Sequence, residues 1–263
     1  MKVEIRRSRA AFPAIALSFF IAFAVIFLMT KSVSDRAAVP EAVFAPPAPE
    51  TVTLSLSGGE YAMVSLGAYE SEADARLSAA RLIYRGSAGY LYPEDGKILV
   101  LGNAYASADD AQKAVARLRA QSIPAEAVFL RAPAISVRLT AVKDQAEAFQ
   151  NAWQALTRGE SALFEISRRL DAGELDASAA RAQLMVLTYD AEKAAKAFST
   201  AASSSSDALI RAVLSLSDGF SRSLRALASS DDRALYLSSR VKHAFISAAI
   251  DRFQLINRVR SGG

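Results

Sequence analysis

The chain has 263 residues, one histidine, no cysteine and a formal net charge of +4. The lack of cysteine excludes disulfides and thiolate metal sites, and the single His243 excludes a multi-histidine zinc centre, so no metal or cofactor is expected. Residues 51–132 carry 8 Lys and Arg against 9 Asp and Glu, and residues 134–263 carry 17 against 14. This near balance argues against a nucleic-acid-binding surface, and no nucleic acid partner is expected.

The first predicted element is a membrane-spanning helix at residues 11–30. Its sequence, AFPAIALSFFIAFAVIFLMT, contains no charge, and at about 1.5 Å per residue it spans the roughly 30 Å hydrocarbon layer. The preceding tail, residues 1–10, carries four basic residues, which favours a cytoplasmic N-terminus and extracytoplasmic domains. We therefore expect a single-pass protein of the cytoplasmic membrane. The alternative is a cleaved signal peptide, which has the same charged start but a shorter apolar region.

A spacer is predicted at residues 31–51. Four prolines lie close together in its second half: Pro40, Pro46, Pro47 and Pro49. Because proline fixes φ and lacks a backbone donor, this composition predicts an extended linker that lies outside any core. The linker would hold the folded part of the chain away from the bilayer.

A duplicated segment marks the start of the folded part. The stretch AYESEADARLSAARL at residues 68–82 matches AYASADDAQKAVARL at residues 104–118 in eight of fifteen positions, without a gap. In each copy a serine precedes an aspartate by three residues, Ser71 before Asp74 and Ser107 before Asp110. This spacing is typical of a helix N-cap with an acid in the first turn. Each copy therefore predicts the beginning of a helix.

Short apolar runs that end in glycine precede the two predicted helices, YAMVSLG at residues 61–67 and KILVLG at residues 97–102. Such runs are typical of strands that lead into a turn. A further strand is predicted after each helix, at residues 87–94 and 124–130. The order β-α-β-β-α-β predicts an α+β, ferredoxin-like domain over residues 52–133, with two helices on one face of a four-stranded antiparallel sheet.

These two half-repeats resemble the SPOR (sporulation-related repeat) domain, a family that binds bacterial peptidoglycan. The resemblance rests on VSLGAYESEADA at residues 64–75 and LVLGNAYASADDA at residues 99–111, each a strand, a turn of small residues with an aromatic, and a helix. It implies a non-enzymatic protein of the cell envelope that binds glycan strands on the open sheet face and takes part in cell division or sporulation. The second turn is one residue longer than the family's usual form.

The resemblance implies four candidate glycan-binding residues. Ser65 stands where the family commonly has glutamine, and Val100, the corresponding residue before the second Leu-Gly pair, stands where it often has arginine. Both polar contacts are thereby weakened, which predicts low affinity. Tyr90 and Tyr92 share one face of their strand and are candidates to stack against a sugar ring, although a strand tyrosine commonly serves in packing.

The remaining residues, 134–263, are rich in alanine and predict an all-α antiparallel bundle of three or four helices. Apolar residues recur at the spacing of buried helical faces, and Gly173 and the serine-rich stretches near Asp207 and Asp232 mark the breaks. We expect this region to serve as a spacer or to bind a protein partner. The first apolar series consists of Val142, Ala146, Phe149, Trp153, Leu156, Leu163 and Leu170.

No catalytic constellation is recognisable in the sequence. Glu160 and Ser161 resemble the Glu-Ser pair of lytic transglycosylases, but no other motif of that class accompanies them, and a glutamate in an amphipathic helix is usually solvated. His243 lies near Phe245 and is expected to be a packed or surface residue. The serines have no recognisable general base. A binding protein is therefore expected in preference to an enzyme.

Two hypotheses remain open at this point. In the first, the SPOR-like sheet binds glycan on an open face. In the second, the apolar residues on that face are covered by the C-terminal helices, and the protein is a scaffold that acts through protein-protein interaction. The solvent exposure of the four candidate residues distinguishes the two hypotheses.

Overall fold

The duplicated segments fold as the serine spacing predicts. In the computed structural model, which describes residues 48–262, each copy forms a helix whose N-cap serine accepts a hydrogen bond from the backbone N–H three residues later, Ser71 from Asp74 and Ser107 from Asp110. The two helices are α1 (Glu72–Ile83) and α2 (Ala108–Ala120). The six strands of the described chain are β1 (Glu50–Leu56), β2 (Gly59–Tyr69), β3 (Tyr90–Glu94), β4 (Lys97–Tyr105), β5 (Glu126–Ala132) and β6 (Ile135–Ala141).

Four of these strands form the antiparallel sheet that the sequence predicts. Their order is β3-β4-β2-β5, so β3 and β5 are the edges and β2 and β4 the centre. This is the strand order of the ferredoxin-like arrangement, and the α+β class is confirmed. The pairing of β2 with β4 is irregular between Val64 and Ala68, where the register shifts twice. Such bulges change which face of the sheet the following side chains occupy.

Helices α1 and α2 cover one face of the sheet with small side chains. Ala75 and Ala79 of α1 pack against Val100 of β4, and α2 packs against Ala62 and Val64 of β2. Alanine at these contacts lets the helix axes approach the sheet closely. This face is therefore formed within the duplicated segments themselves.

Strands β1 and β6 form a separate two-stranded sheet that was not predicted. Leu54 pairs with Val137 and Leu56 with Ile135. Both leucines are buried, while Thr53 and Ser55 on either side of Leu54 are exposed, in the alternation of a half-buried strand. The alternating sequences TVTLSLS and ISVRLTA carry this signal. The extended spacer thus ends in a strand, and the predicted bundle region begins with one.

Four helices complete the fold, within the predicted three or four. They are α3 (Lys143–Asp171), α4 (Ala177–Ala201), α5 (Ala208–Ala228) and α6 (Ala234–Arg260). Asp176 and Asp207 accept backbone hydrogen bonds as N-caps of α4 and α5, and Gly173 after α3 adopts a left-handed conformation with φ of 69°. The predicted apolar series of α3 is buried along its length from Ala146 to Leu170.

Helix α6 lies across the sheet face that α1 and α2 leave free. It contacts β3, β4 and β5, while α3 contacts β1 and β6 and packs beside α6. The residues of this sheet face and those of the bundle form one continuous hydrophobic core. The described residues belong to a single compact unit.

Within residues 48–262, no helix has the length and apolar character needed to cross a membrane. The predicted membrane helix at residues 11–30 and the tail at residues 1–10 lie outside the described residues, as does most of the spacer at residues 31–51.

Candidate glycan-binding face

The sheet face opposite α1 and α2 is where the resemblance places a glycan strand. Met63 of β2, Leu99 and Leu101 of β4, and Val128 of β5 point to this face, and all four are buried against the bundle. Ser65 of β2 is completely inaccessible, with an exposed fraction of 0%. Its hydroxyl donates a hydrogen bond to the carbonyl of Gly67, 3.1 Å away. Ser65 therefore has no free polar group for a ligand in this conformation.

The expected position of Val100 on this face was wrong. Val100 points to the opposite face and packs against Ala75 and Ala79 of α1. The residue equivalent to Ser65 is Leu101, which pairs with Ser65 in the sheet and is 36 residues further along, the spacing of the duplication. If Leu66-Gly67 is aligned with Leu101-Gly102 instead, Ser65 is matched to Val100, one residue out of register. The error arises because the second turn contains one extra residue. In a strand a displacement of one residue moves a side chain to the other face.

Tyr90 and Tyr92 share the face that α6 covers, but they lie on the edge strand β3 and are only half-buried. The ring of Tyr90 lies 5.2 Å from that of His243 on α6. Burial raises the pKa of both tyrosines above the usual value, with the carboxylates of Asp251 and Glu94 adding to the effect for Tyr90 and Tyr92 respectively. The two hydroxyls are therefore protonated hydrogen-bonding groups at neutral pH. Of the four predicted residues, these two retain accessible surface.

An aromatic cluster joins the centre of the sheet to the bundle. Tyr61 of β2 makes an edge-to-face contact with Phe245, with ring centroids 4.9 Å apart, and a stacked contact with Phe253 at 5.9 Å. Phe164 of α3 closes the cluster, 5.3 Å from Phe245. Aromatic pairs in these geometries add about 0.5–1.5 kcal/mol each beyond the burial of their area. The sheet centre is thus a packed interior.

A buried ion pair lies beside this aromatic cluster. The Arg252 guanidinium donates to both carboxylate oxygens of Glu160, at 2.7 and 2.8 Å, and also to the carbonyl of Ser57 at 2.6 Å. Glu160 is 2% exposed and Arg252 4%, so the expectation of a solvated Glu160 was wrong. The unfavourable burial of a carboxylate is offset here by a two-point hydrogen bond with arginine. Burial of Tyr61, together with the nearby charge of Glu160, raises the pKa of that phenol.

A second polar cluster attaches α6 to the loop between α1 and β3. Lys242 Nζ donates to the carbonyl of Gly86 at 2.7 Å and forms an ion pair with Asp171. Ser239 Oγ donates to the carbonyl of Ile83 at 2.7 Å, and His243 Nδ1 lies 3.1 Å from the carbonyl oxygen of Ala88. Helix α6 is therefore held to the sheet domain at both of its ends.

Opening this interface would cost more free energy than a ligand readily supplies. Met63, Leu101, Phe245 and Ile246 are each at most 1% exposed. Full burial of such a side chain contributes about 1.5–3 kcal/mol, so exposure of these four alone costs on the order of 10 kcal/mol. That is comparable with the whole stability of a typical domain. A ligand that uses this face of the folded protein must therefore bind at its edge and not at its centre.

The described residues also show what chemistry the site lacks. No group of three or more histidine, aspartate or glutamate side chains within residues 48–262 is arranged to hold a metal ion. Glu160 is committed to Arg252 through both of its oxygens, which leaves neither oxygen free to protonate a leaving group. Sequence reasoning missed Arg252 as its partner, because 92 residues separate the two.

Comparison with known families finds a match in the duplicated region. Residues 58–129 match the family model of the SPOR domain, which confirms the resemblance over these residues. One solved structure is similar: the peptidoglycan binding domain of the B. subtilis cell wall lytic enzyme CwlC, with 25% sequence identity and a TM-score of 0.23. The match covers 27% of this chain and 90% of that domain. No curated protein matches the chain.

Proposed function

We propose that this chain is a non-enzymatic peptidoglycan-binding protein of the bacterial cell envelope. The observation that carries the proposal is the match of residues 58–129 to the SPOR domain, joined to an edge strand on which two tyrosines stay accessible. We further propose that residues 11–30 anchor it in the cytoplasmic membrane with the folded part outside. Cell division and sporulation are the processes that the family resemblance suggests.

The proposed contact lies along β3, because the central part of the face is occupied by α6. Tyr90 and Tyr92 project from the same side of this strand, and each remains partly accessible to solvent. The C–H groups of a pyranose ring carry partial positive charge and meet the negative face of an aromatic ring favourably. The neutral phenol hydroxyls supply hydrogen bonds to sugar oxygens. Since Ser65 and Val100 are buried, we expect weak binding.

The test is a sedimentation assay of the full chain, in detergent, with purified peptidoglycan. One sample of peptidoglycan keeps its stem peptides, and in the other an amidase has removed them. We expect stronger binding to the stripped glycan and a loss of about tenfold or more in the double variant Tyr90→Ala, Tyr92→Ala, since each aromatic contact supplies about 0.5–1.5 kcal/mol. Equal binding of both preparations by wild type and variant would contradict a glycan site on β3.

A second candidate function is supported by the coverage of the sheet. The continuous core between the sheet and α6 is what a scaffold would require if the sheet served only to hold the bundle outside the membrane. The same assay decides between the two. If the folded chain fails to sediment with either preparation, the scaffold is favoured, and the helical bundle becomes the region to test for a protein partner.

A further inference from the structure

A pair of exposed tyrosines lies on the seam between the sheet domain and α6. Tyr84, at the end of α1, and Tyr236, in the first turn of α6, stack with ring centroids 6.1 Å apart and an interplanar angle of 25°. Tyr84 is 76% exposed and Tyr236 39%. Rings that remain this accessible add little to the core, because most of their apolar area stays in water. Their packing against each other leaves flat surface available to a ligand.

The Tyr84–Tyr236 pair lies in line with a second aromatic pair, Tyr90 of β3 with His243 of α6. Tyr236 and His243 are seven residues apart in α6, which places them on the same side of the helix about 10 Å apart along its axis. His243 is exposed and contacts Tyr90. The seam therefore presents two aromatic pairs in a row, Tyr84 with Tyr236 and then Tyr90 with His243. The distance between them suits alternate sugar rings of a linear glycan, one disaccharide apart.

Polar side chains occupy the same side of α6. Arg240 lies between Tyr236 and His243. Its guanidinium pairs with Asp232 at 2.6 Å and also donates to the carbonyl of Ala226 at 3.4 Å, which leaves part of its donor capacity for a ligand. Ser247 follows one turn after His243 and donates a hydrogen bond to Asp251 at 3.5 Å. Flat aromatic surface with interspersed donors and acceptors is the combination that a hydroxyl- and amide-bearing sugar chain requires. A purely apolar partner would leave the remaining hydrogen-bonding capacity of these polar groups unsatisfied.

We propose that α6 contributes half of an extended glycan platform along this seam. The platform consists of Tyr84, Tyr90 and Tyr92 from the sheet domain and Tyr236, Arg240 and His243 from α6. Its ligand class is the amino-sugar strand of peptidoglycan, so the inference rests on the proposed function and deepens it. The helix that covers the central sheet thereby replaces the lost surface with one of its own. The platform extends beyond residues 58–129, the part that matches the SPOR domain.

The test compares single variants of the full chain in the sedimentation assay with amidase-treated peptidoglycan. Tyr84→Ala and Tyr236→Ala should each weaken binding by about 2- to 10-fold, the range that one aromatic contact supplies. Tyr236→Phe should bind as wild type, because the ring is retained. Tyr189→Ala is the matched control, since Tyr189 is 67% exposed on α4, which packs on α3 and α5. Thermal unfolding of each variant establishes that the fold is unchanged.

The outcomes separate this inference from the proposed function. If Tyr90→Ala weakens binding while Tyr84→Ala and Tyr236→Ala do not, the proposed function stands and the extended platform is overturned. If the wild-type chain does not bind stripped glycan, both are overturned. Equal weakening by Tyr189→Ala would show a general effect of surface tyrosines and would also overturn the platform. Selective weakening by the two seam variants supports it.

Discussion

The two faces of the four-stranded sheet are covered in contrasting ways. On one face, α1 and α2 pack through alanine and valine against strands that are close to them in sequence. On the other, α6 arrives from more than 100 residues further along the chain and brings phenylalanine, a buried arginine and a buried lysine. The first face uses small residues and close approach. The second uses large aromatic side chains and hydrogen-bonded charges.

This difference shows which face of the sheet depends on a distant part of the chain. The face with small residues is complete once the duplicated segments fold, because its helices belong to the same repeats. The other face exposes Met63, Leu99 and Leu101 unless something covers it, and a patch of that kind is either a binding surface or a buried interface. Here α6 covers it. The accessible part of the proposed site therefore lies at the edge strand and the seam beside it.

The largest expected effect is on the charged part of the α6 interface. Arg252→Ala should lower the free energy of unfolding by about 3–5 kcal/mol, because it leaves the Glu160 carboxylate buried without a partner. Urea unfolding of the purified chain measures this. Arg225→Ala is the control: its pair with Glu192 is exposed and should contribute at most about 1 kcal/mol. Similar losses in the two variants would contradict the burial of the Arg252 pair.

The next largest effect concerns the apolar part of the same face. Met63→Ala should lower the free energy of unfolding by about 2–5 kcal/mol, since Met63 is fully buried between the sheet and the bundle. Met185→Ala makes the same chemical change at a residue that is 58% exposed on α4, and it should change stability by no more than about 0.5 kcal/mol. If Met63→Ala proved as mild as Met185→Ala, the sheet face would be open in solution.

The smallest expected effect is on the face formed by the duplicated segments. Ser71→Ala and Ser107→Ala each remove an N-cap hydrogen bond and should each cost about 1 kcal/mol, as measured by the same urea titration. The corresponding threonine variants keep the hydroxyl and should lose less. A loss of several kcal/mol from either alanine variant would show that these serines do more than cap a helix.

Much of the sheet domain could be predicted because its signals are local. The two N-cap serines, the runs that end in glycine and the duplication at a spacing of 36 residues each act within one or two elements, and together they specify the order of strands and helices. The two-stranded sheet was missed although its alternating residues were visible. The reason is that Leu54 and Val137 lie 83 positions apart and only their pairing makes the short runs stable.

The candidate site was less predictable than the fold. Tyr90 and Tyr92 were correctly placed on one face, because alternation along a strand is a local property. Val100 was assigned to the wrong face. The extra residue in the second turn shifts the alignment of the two strands by one position, and a shift of one position exchanges the two faces of a strand. Tyr84 and Tyr236 could not be recognised as a pair from the sequence, because they meet only through the packing of α6 on α1.

The sequence by itself determined the class of the fold, the starts of its first two helices and the likeness to the SPOR domain. These follow from periodicity, capping and turn chemistry, which depend on neighbouring residues. Only the tertiary structure decided that α6 closes the sheet face, that Glu160 pairs with Arg252 and that the accessible aromatic rings lie at the edge. These contacts join residues far apart in the chain. Burial of apolar surface brings them together, and it does not depend on how close two residues are in the sequence.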